Sequence, residues 1–199
     1  MSKTKGFPFY PVIMGLLLAG FLVYGWLFIQ RTSIVVEGQR MHALFDDAMI
    51  SMQFAKNFAN GDGLVWNVGG ERVEGFSNPL WVLVMTVVHL FPLDLTETSF
   101  YVKLISLACL FLNLFMVKGL AEHFSSNRFV AIGAVFLTGF YFPLNNWSLQ
   151  GMEVGLQALL LSAALLLGLR ALQAGRFQPW VYVLFSLMVF LRMDGAAPA

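Results

Sequence analysis

Two adjacent carboxylates, Asp46 and Asp47, open the stretch "FDDAMISMQFAKNFANG" in a chain that is otherwise strongly apolar. A carboxylate at the start of a helix can do three things. It can cap free N–H groups, complement the positive end of the helix dipole, or take a proton from a hydroxyl as a general base. A cap needs one acid, so the second carboxylate is either simply solvated or free for chemistry. The other side chains suited to such a site are scattered. Arg72 and Arg192 can make bidentate contacts to a phosphate, and Glu74, Asn78, Glu153 and Asp194 supply further polar groups. Each has a plainer role beside the chemical one: Arg72 paired with Glu71 or Glu74 at the surface, Arg192 as a snorkelling anchor, Glu153 as a first-turn acid. A divalent metal shared by Asp47 and Glu153 is a further option, although two oxygen ligands do not define a site.

Composition bounds what this chemistry serves. Of 199 residues, 58% are hydrophobic, 12% are charged and 20 are Phe, with a net charge of +1. A soluble domain carries about twice that charge. There is no basic patch for nucleic acid, and one cysteine, Cys109, inside "LISLACLFLNLF", allows no disulfide. His42, His89 and His123 have no metal-ligand spacing.

The elements that must hold the candidate residues are therefore membrane helices, and the fold class expected is an all-α polytopic membrane protein. The run 11–29 carries no charge, has the roughly 20 residues a bilayer core needs, and follows Lys3 and Lys5, which puts the N-terminus in the cytoplasm. Residues 30–78 read as an outer loop containing an amphipathic helix, 47–60, with Ile50, Phe54 and Phe58 on one stripe and Gln53, Lys56, Asn57 and Asn60 opposite. Residues 79–93 are apolar but short, and "PLDLTET" follows. Further spans are expected at 99–120, 129–147, 154–173 and 179–194. If 79–93 dips in and returns, Lys118, Arg128, Arg170 and Arg176 all fall in the cytoplasm, as the positive-inside rule prefers. That arrangement gives five full spans plus one partial or interfacial helix. It also puts the Asp46 loop and Glu153 on the same outer face. Trp66, Trp81, Trp147 and Trp180 suit an interfacial aromatic belt.

The stretch Phe45 to Trp81, "FDDAMISMQFAKNFANGDGLVWNVGGERVEGFSNPLW", resembles the first extracytoplasmic loop of the GT-C integral-membrane glycosyltransferases. The likeness is strongest to the mycobacterial terminal arabinofuranosyltransferases and their broader bacterial relatives. Asp46-Asp47-Ala48, then Gly63-Leu64-Val65-Trp66-Asn67, then Gly70 through Trp81 follow the family pattern in order, over about a fifth of the chain. Gly151-Met152-Glu153 is similar to a Gly-(Leu/Met)-Glu that follows a helix in relatives. Arg192-Met193-Asp194-Gly195 stands where relatives often show Arg-Pro-Glu-Gly, and Met193 departs from it.

The resemblance implies a GT-C-like N-terminal helical bundle, with a polyprenyl-phosphate-linked sugar as donor and a glycan, lipid or protein as acceptor. It implies an outer-loop Asp as general base, Asp46 being taken first and Asp47 second. It also implies a multi-pass protein of the bacterial inner membrane with its active site outward. Relatives continue with more spans, so a partial sequence is expected, and this piece alone need not be active. The physics agrees with that chemistry. A transferase outside the cytoplasm needs a donor that arrives through the membrane. Polyprenyl phosphate already leaves readily, so what remains is a base and charge to steady an oxocarbenium-like transition state. The rivals are a non-catalytic lipid-linked-sugar binder, a transporter-like subunit, and a plain structural membrane segment. The double carboxylate argues against all three.

Overall fold

The computed structural model describes residues 9–73 and 75–192. Eight helices and one hairpin run in the order α1 (Tyr10–Arg31), β1 (Ile34–Val36), β2 (Gln39–Met41), α2 (Asp46–Ala59), α3 (Pro79–His89), α4 (Leu95–Phe124), α5 (Arg128–Gly139), α6 (Phe142–Leu149), α7 (Val154–Ala174) and α8 (Pro179–Leu191). The expected all-α architecture is thus a helical bundle with one small antiparallel hairpin, Val35 opposite Arg40.

Helices α1, α4 and α7 are long and apolar enough to cross a membrane, and α5 with α6 makes a fourth if the bent pair is one span. The run 129–147, expected to be one helix, is broken and bent by 48°. The cause is Pro143. It has no N–H to give the Gly139 carbonyl four residues back, and its ring crowds that carbonyl. The carbonyl is satisfied instead by Asn145 Nδ2 at 2.8 Å, as a bilayer interior demands. Helices α3 and α8 are shorter, at 11 and 13 residues. Five full spans therefore reduce, among the described residues, to three helices of spanning length, one bent pair and two short apolar helices.

Contacts fix the directions. Tyr10 Oη donates to Glu122 at 2.7 Å, and Lys103 reaches Thr32, so α1 and α4 run antiparallel. A Cβ at Gly25 would run into the Leu107 side chain, which is how closely these two helices approach. Gly155 lies against Leu110, and Gly119 against Leu166, so α7 runs parallel to α4. Helix α3 is too short to cross a bilayer core on its own. It starts beside α2, where Asn78 meets Ser51, and the chain then returns to the same end, where Thr96 in the first turn of α4 accepts the His42 N–H at 2.7 Å. Helix α4 is longer than the expected 99–120. Its start is set by a capping box in which Asp94 and Glu97 exchange side-chain-to-backbone bonds of 2.7 and 3.1 Å. Lys118, Glu122, Arg128 and Arg170 gather at the opposite end from Asn78.

Two apolar cores flank α4. One gathers Phe54, Trp81, Met85 and Leu191, the other Phe21, Ile29, Leu110 and Leu114. Trp81 is therefore not a belt residue: it is fully buried, and its indole N–H donates to the Gly151 carbonyl at 2.8 Å. The α2 stripe also differs from expectation. Ala48, Ser51, Met52, Phe54 and Ala55 are buried against α3, while Phe58 is 40% exposed. Asn57, assigned to the polar side, is buried because its Nδ2 serves the Val65 and Trp66 carbonyls at 2.8 and 2.9 Å.

Candidate functional site

A cavity of about 260 Å³ opens where α2, α3, α7 and α8 meet. Asp47, Ile50 and Ser51 line it from the first turns of α2, and Gly75 to Asn78 from the segment entering α3. Met152 and Glu153 line it from the turn before α7, and Arg192 from the end of α8. Spacing explains the α2 contribution, since Asp47, Ile50 and Ser51 stand at i, i+3 and i+4 and so share a face.

The helix starts one residue earlier than expected, and Phe45 occupies the N-cap position without a side-chain cap bond. Neither Asp46 nor Asp47 is the cap. Both lie in the first turn, where their charge suits the dipole. They point to different surroundings, and only Asp47 lines the cavity. The sequence reading takes Asp46 first and Asp47 second; of the two, Asp47 is the one that faces the cavity.

A buried relay orders the cavity floor. Ser51 Oγ donates to Asn78 Oδ1 at 2.9 Å, Asn78 Nδ2 donates to Glu153 Oε2 at 3.0 Å, and Arg192 Nη1 donates to Glu153 Oε1 at 3.3 Å. Glu153 is 2% exposed and Asn78 is 5% exposed, whereas the Arg192 side chain is 35% exposed at the rim. Burying a carboxylate costs several kcal/mol unless it is paired and hydrogen-bonded, and this one has a partner on each oxygen. Glu153 sits at the N-cap position of α7, yet its side chain makes no cap bond there. Its role is to hold Asn78 and Arg192. With Asp47 included, the cavity wall carries two carboxylates and one guanidinium.

The divalent-metal option does not fit this donor set. Both Glu153 oxygens accept N–H groups, one from a guanidinium that would repel a cation. No cluster of three or more His, Cys, Asp or Glu suited to a metal occurs among the described residues. Arg72 is exposed and does not line the cavity. Glu74, Asp194 and the remainder of the "RMDG" stretch beyond Arg192 lie outside the described residues.

The turn that carries Glu153 is tied to its neighbours on several sides. The Gln150 carbonyl accepts the Phe45 N–H at 2.9 Å, and the Gly151 carbonyl accepts the Trp81 indole. Gly151 has φ +96°, and a Cβ there would meet Leu44 at 2.8 Å, so only glycine serves. Ser51, Gln150 and Lys103 escaped the sequence reading. Ser51 was findable from its four-residue spacing to Asp47, and Lys103 from being a charge inside an apolar run.

Searches of protein-family models, curated proteins and solved structures find no match to this chain.

Proposed function

We propose that this chain is a membrane glycosyltransferase, or the helical portion of one, that moves a sugar from a polyprenyl-phosphate donor to a hydroxyl acceptor. The observation that carries this is convergence. Asp47, Asn78, Glu153 and Arg192 come from the three sequence stretches that resemble the GT-C enzymes, spread along the chain from residue 47 to 192, and they line one polar cavity at one end of an apolar bundle.

In this reaction the acceptor hydroxyl gives its proton to an Asp47 oxygen. The acceptor oxygen forms a bond to the anomeric carbon, and the bond from that carbon to the donor phosphate breaks. Its electron pair leaves on polyprenyl phosphate, which needs no further proton. Arg192, at the rim, offers guanidinium N–H groups to the phosphate. Glu153 and Asn78 keep that guanidinium and the α3 entry in register. Arg72 has no assigned part. The acceptor is a glycan, lipid or protein. The setting is a bacterial plasma membrane with the cavity on the outer face, supported by the basic residues gathered at the opposite end.

Asp47→Asn tests the reading directly, with transfer of labelled sugar from polyprenyl phosphate measured in membranes that contain the protein. Loss of a general base lowers turnover by about 10²–10⁴. Asp46→Asn, outside the cavity, is expected to stay within a few-fold of the parent. Near-normal turnover in Asp47→Asn would sink the catalytic role and favour a binder of lipid-linked sugar.

A further inference from the structure

We propose that Lys103 is a positioning residue for this cavity, acting through Gln150 to set the spacing between the Asp47 helix and Glu153. The inference rests on the cavity described above being the working site. Lys103 stands on α4 and is 0% exposed, so it cannot reach water or a headgroup by snorkelling. No carboxylate pairs with it among the described residues. Its ammonium instead donates to Thr32 Oγ1 at 3.3 Å, just past the end of α1, and to Gln150 Oε1 at 3.4 Å.

A buried cation held only by neutral oxygens does not maximise stability, because a well-packed apolar side chain of similar volume is commonly neutral or better. A charge held fully inside the bundle is costly, and such groups cluster at functional sites. What Lys103 offers is direction. It fixes the Gln150 side chain, while the Gln150 backbone carbonyl takes the Phe45 N–H two residues before Asp47. The next carbonyl, Gly151, takes the Trp81 indole, and Glu153 follows two residues later. One ammonium therefore sets the turn against which both carboxylates of the cavity are registered.

The test uses a thiol reporter at Ser77→Cys in a Cys109→Ser background, since Ser77 is exposed and lines the cavity. The rates of modification by anionic and cationic methanethiosulfonates are compared, which needs no transferase activity. Lys103→Met is expected to shift the anion-to-cation rate ratio at least threefold, with the melting temperature unchanged or raised. Gln150→Leu is expected to shift the ratio alike, and the double variant no further than either single one. Sugar transfer in Lys103→Met should lose kcat with KM little changed. A ratio within twofold of the parent in Lys103→Met overturns the proposal. If that variant does not fold, an unmoved ratio in Gln150→Leu overturns it instead. An inactive parent with a shifted ratio would count against the transferase and leave the positioning role standing.

Discussion

The two ends of the bundle each hold a glutamate clamped by donors from distant elements, and they do so with different consequences. Glu122 receives Tyr10 Oη at 2.7 Å, Lys118 Nζ at 2.9 Å and Arg128 Nη1 at 2.6 Å, with Arg128 also over the Tyr10 ring at 4.6 Å. Its side chain is 27% exposed. Among the described residues, one anion there faces two cations, so its charge is more than balanced. Glu153, 3% exposed in its side chain, has one cation and one neutral amide, and Asp47 shares its cavity. Ion pairing that is saturated and wet makes an anchor. The same pairing, buried, leaves two carboxylates and one guanidinium around a cavity among the described residues.

The sharpest way to break this comparison is compartment. Cysteines at Val68, in the loop on the cavity side, and at Ser126, between α4 and α5, are both on exposed positions. In a Cys109→Ser background, a membrane-impermeant thiol reagent on intact cells should label position 68 and leave 126 untouched. Labelling of both from outside would end the two-sided picture.

Energetics give the next contrast. Glu153→Ala should destabilise by about 2–3 kcal/mol, below the ~3–5 kcal/mol of a fully buried pair because Arg192 is partly exposed. Glu122→Gln should cost less than about 1 kcal/mol, the usual worth of an exposed pair. Denaturant unfolding in detergent measures both, and equal costs would erase the distinction.

The smallest effect concerns acid. Burial, followed by the nearby charges of Lys103 and Arg40, holds the His42 pKa below its ordinary value. A histidine that resists protonation when folded but not when unfolded contributes stability above about pH 6.5, and that contribution is lost as pH falls. The melting temperature should therefore drop between pH 7.5 and 5.5. The drop should be smaller in His42→Gln, and an identical drop would remove His42 from the account.

Particular elements explain what was legible in advance. Helices α1 and α7 are long unbroken apolar runs, and length alone identifies them. The shortness of α3 was readable from Pro79 and Pro92, which bracket its apolar run. The α5–α6 break was present in Pro143 but hidden by continuous hydropathy across it. The hairpin was missed because three β-branched or apolar residues, Ile34 to Val36, and a Glu37-Gly38 turn with positive φ at both positions are too short to stand out beside membrane helices. Which aspartate faces the cavity was not legible. Adjacent residues in one turn differ by about 100° in direction, and only the packing of α2 on α3 decides between them.

Helix α4 also acts as a ruler. Its 30 residues rise about 45 Å at 1.5 Å each, against a hydrocarbon core of about 30 Å. The Glu122 cluster marks one boundary, and Lys103 lies about 28 Å along the helix from it, close to the other. The surplus turns of α4, held by Thr96 and the capping box, lie at the cavity end of the helix. A helix about 15 Å longer than the hydrocarbon core either tilts or carries its cavity end beyond that core. The thickness of the membrane, as much as the packing of the bundle, therefore sets how far the cavity stands from the hydrocarbon.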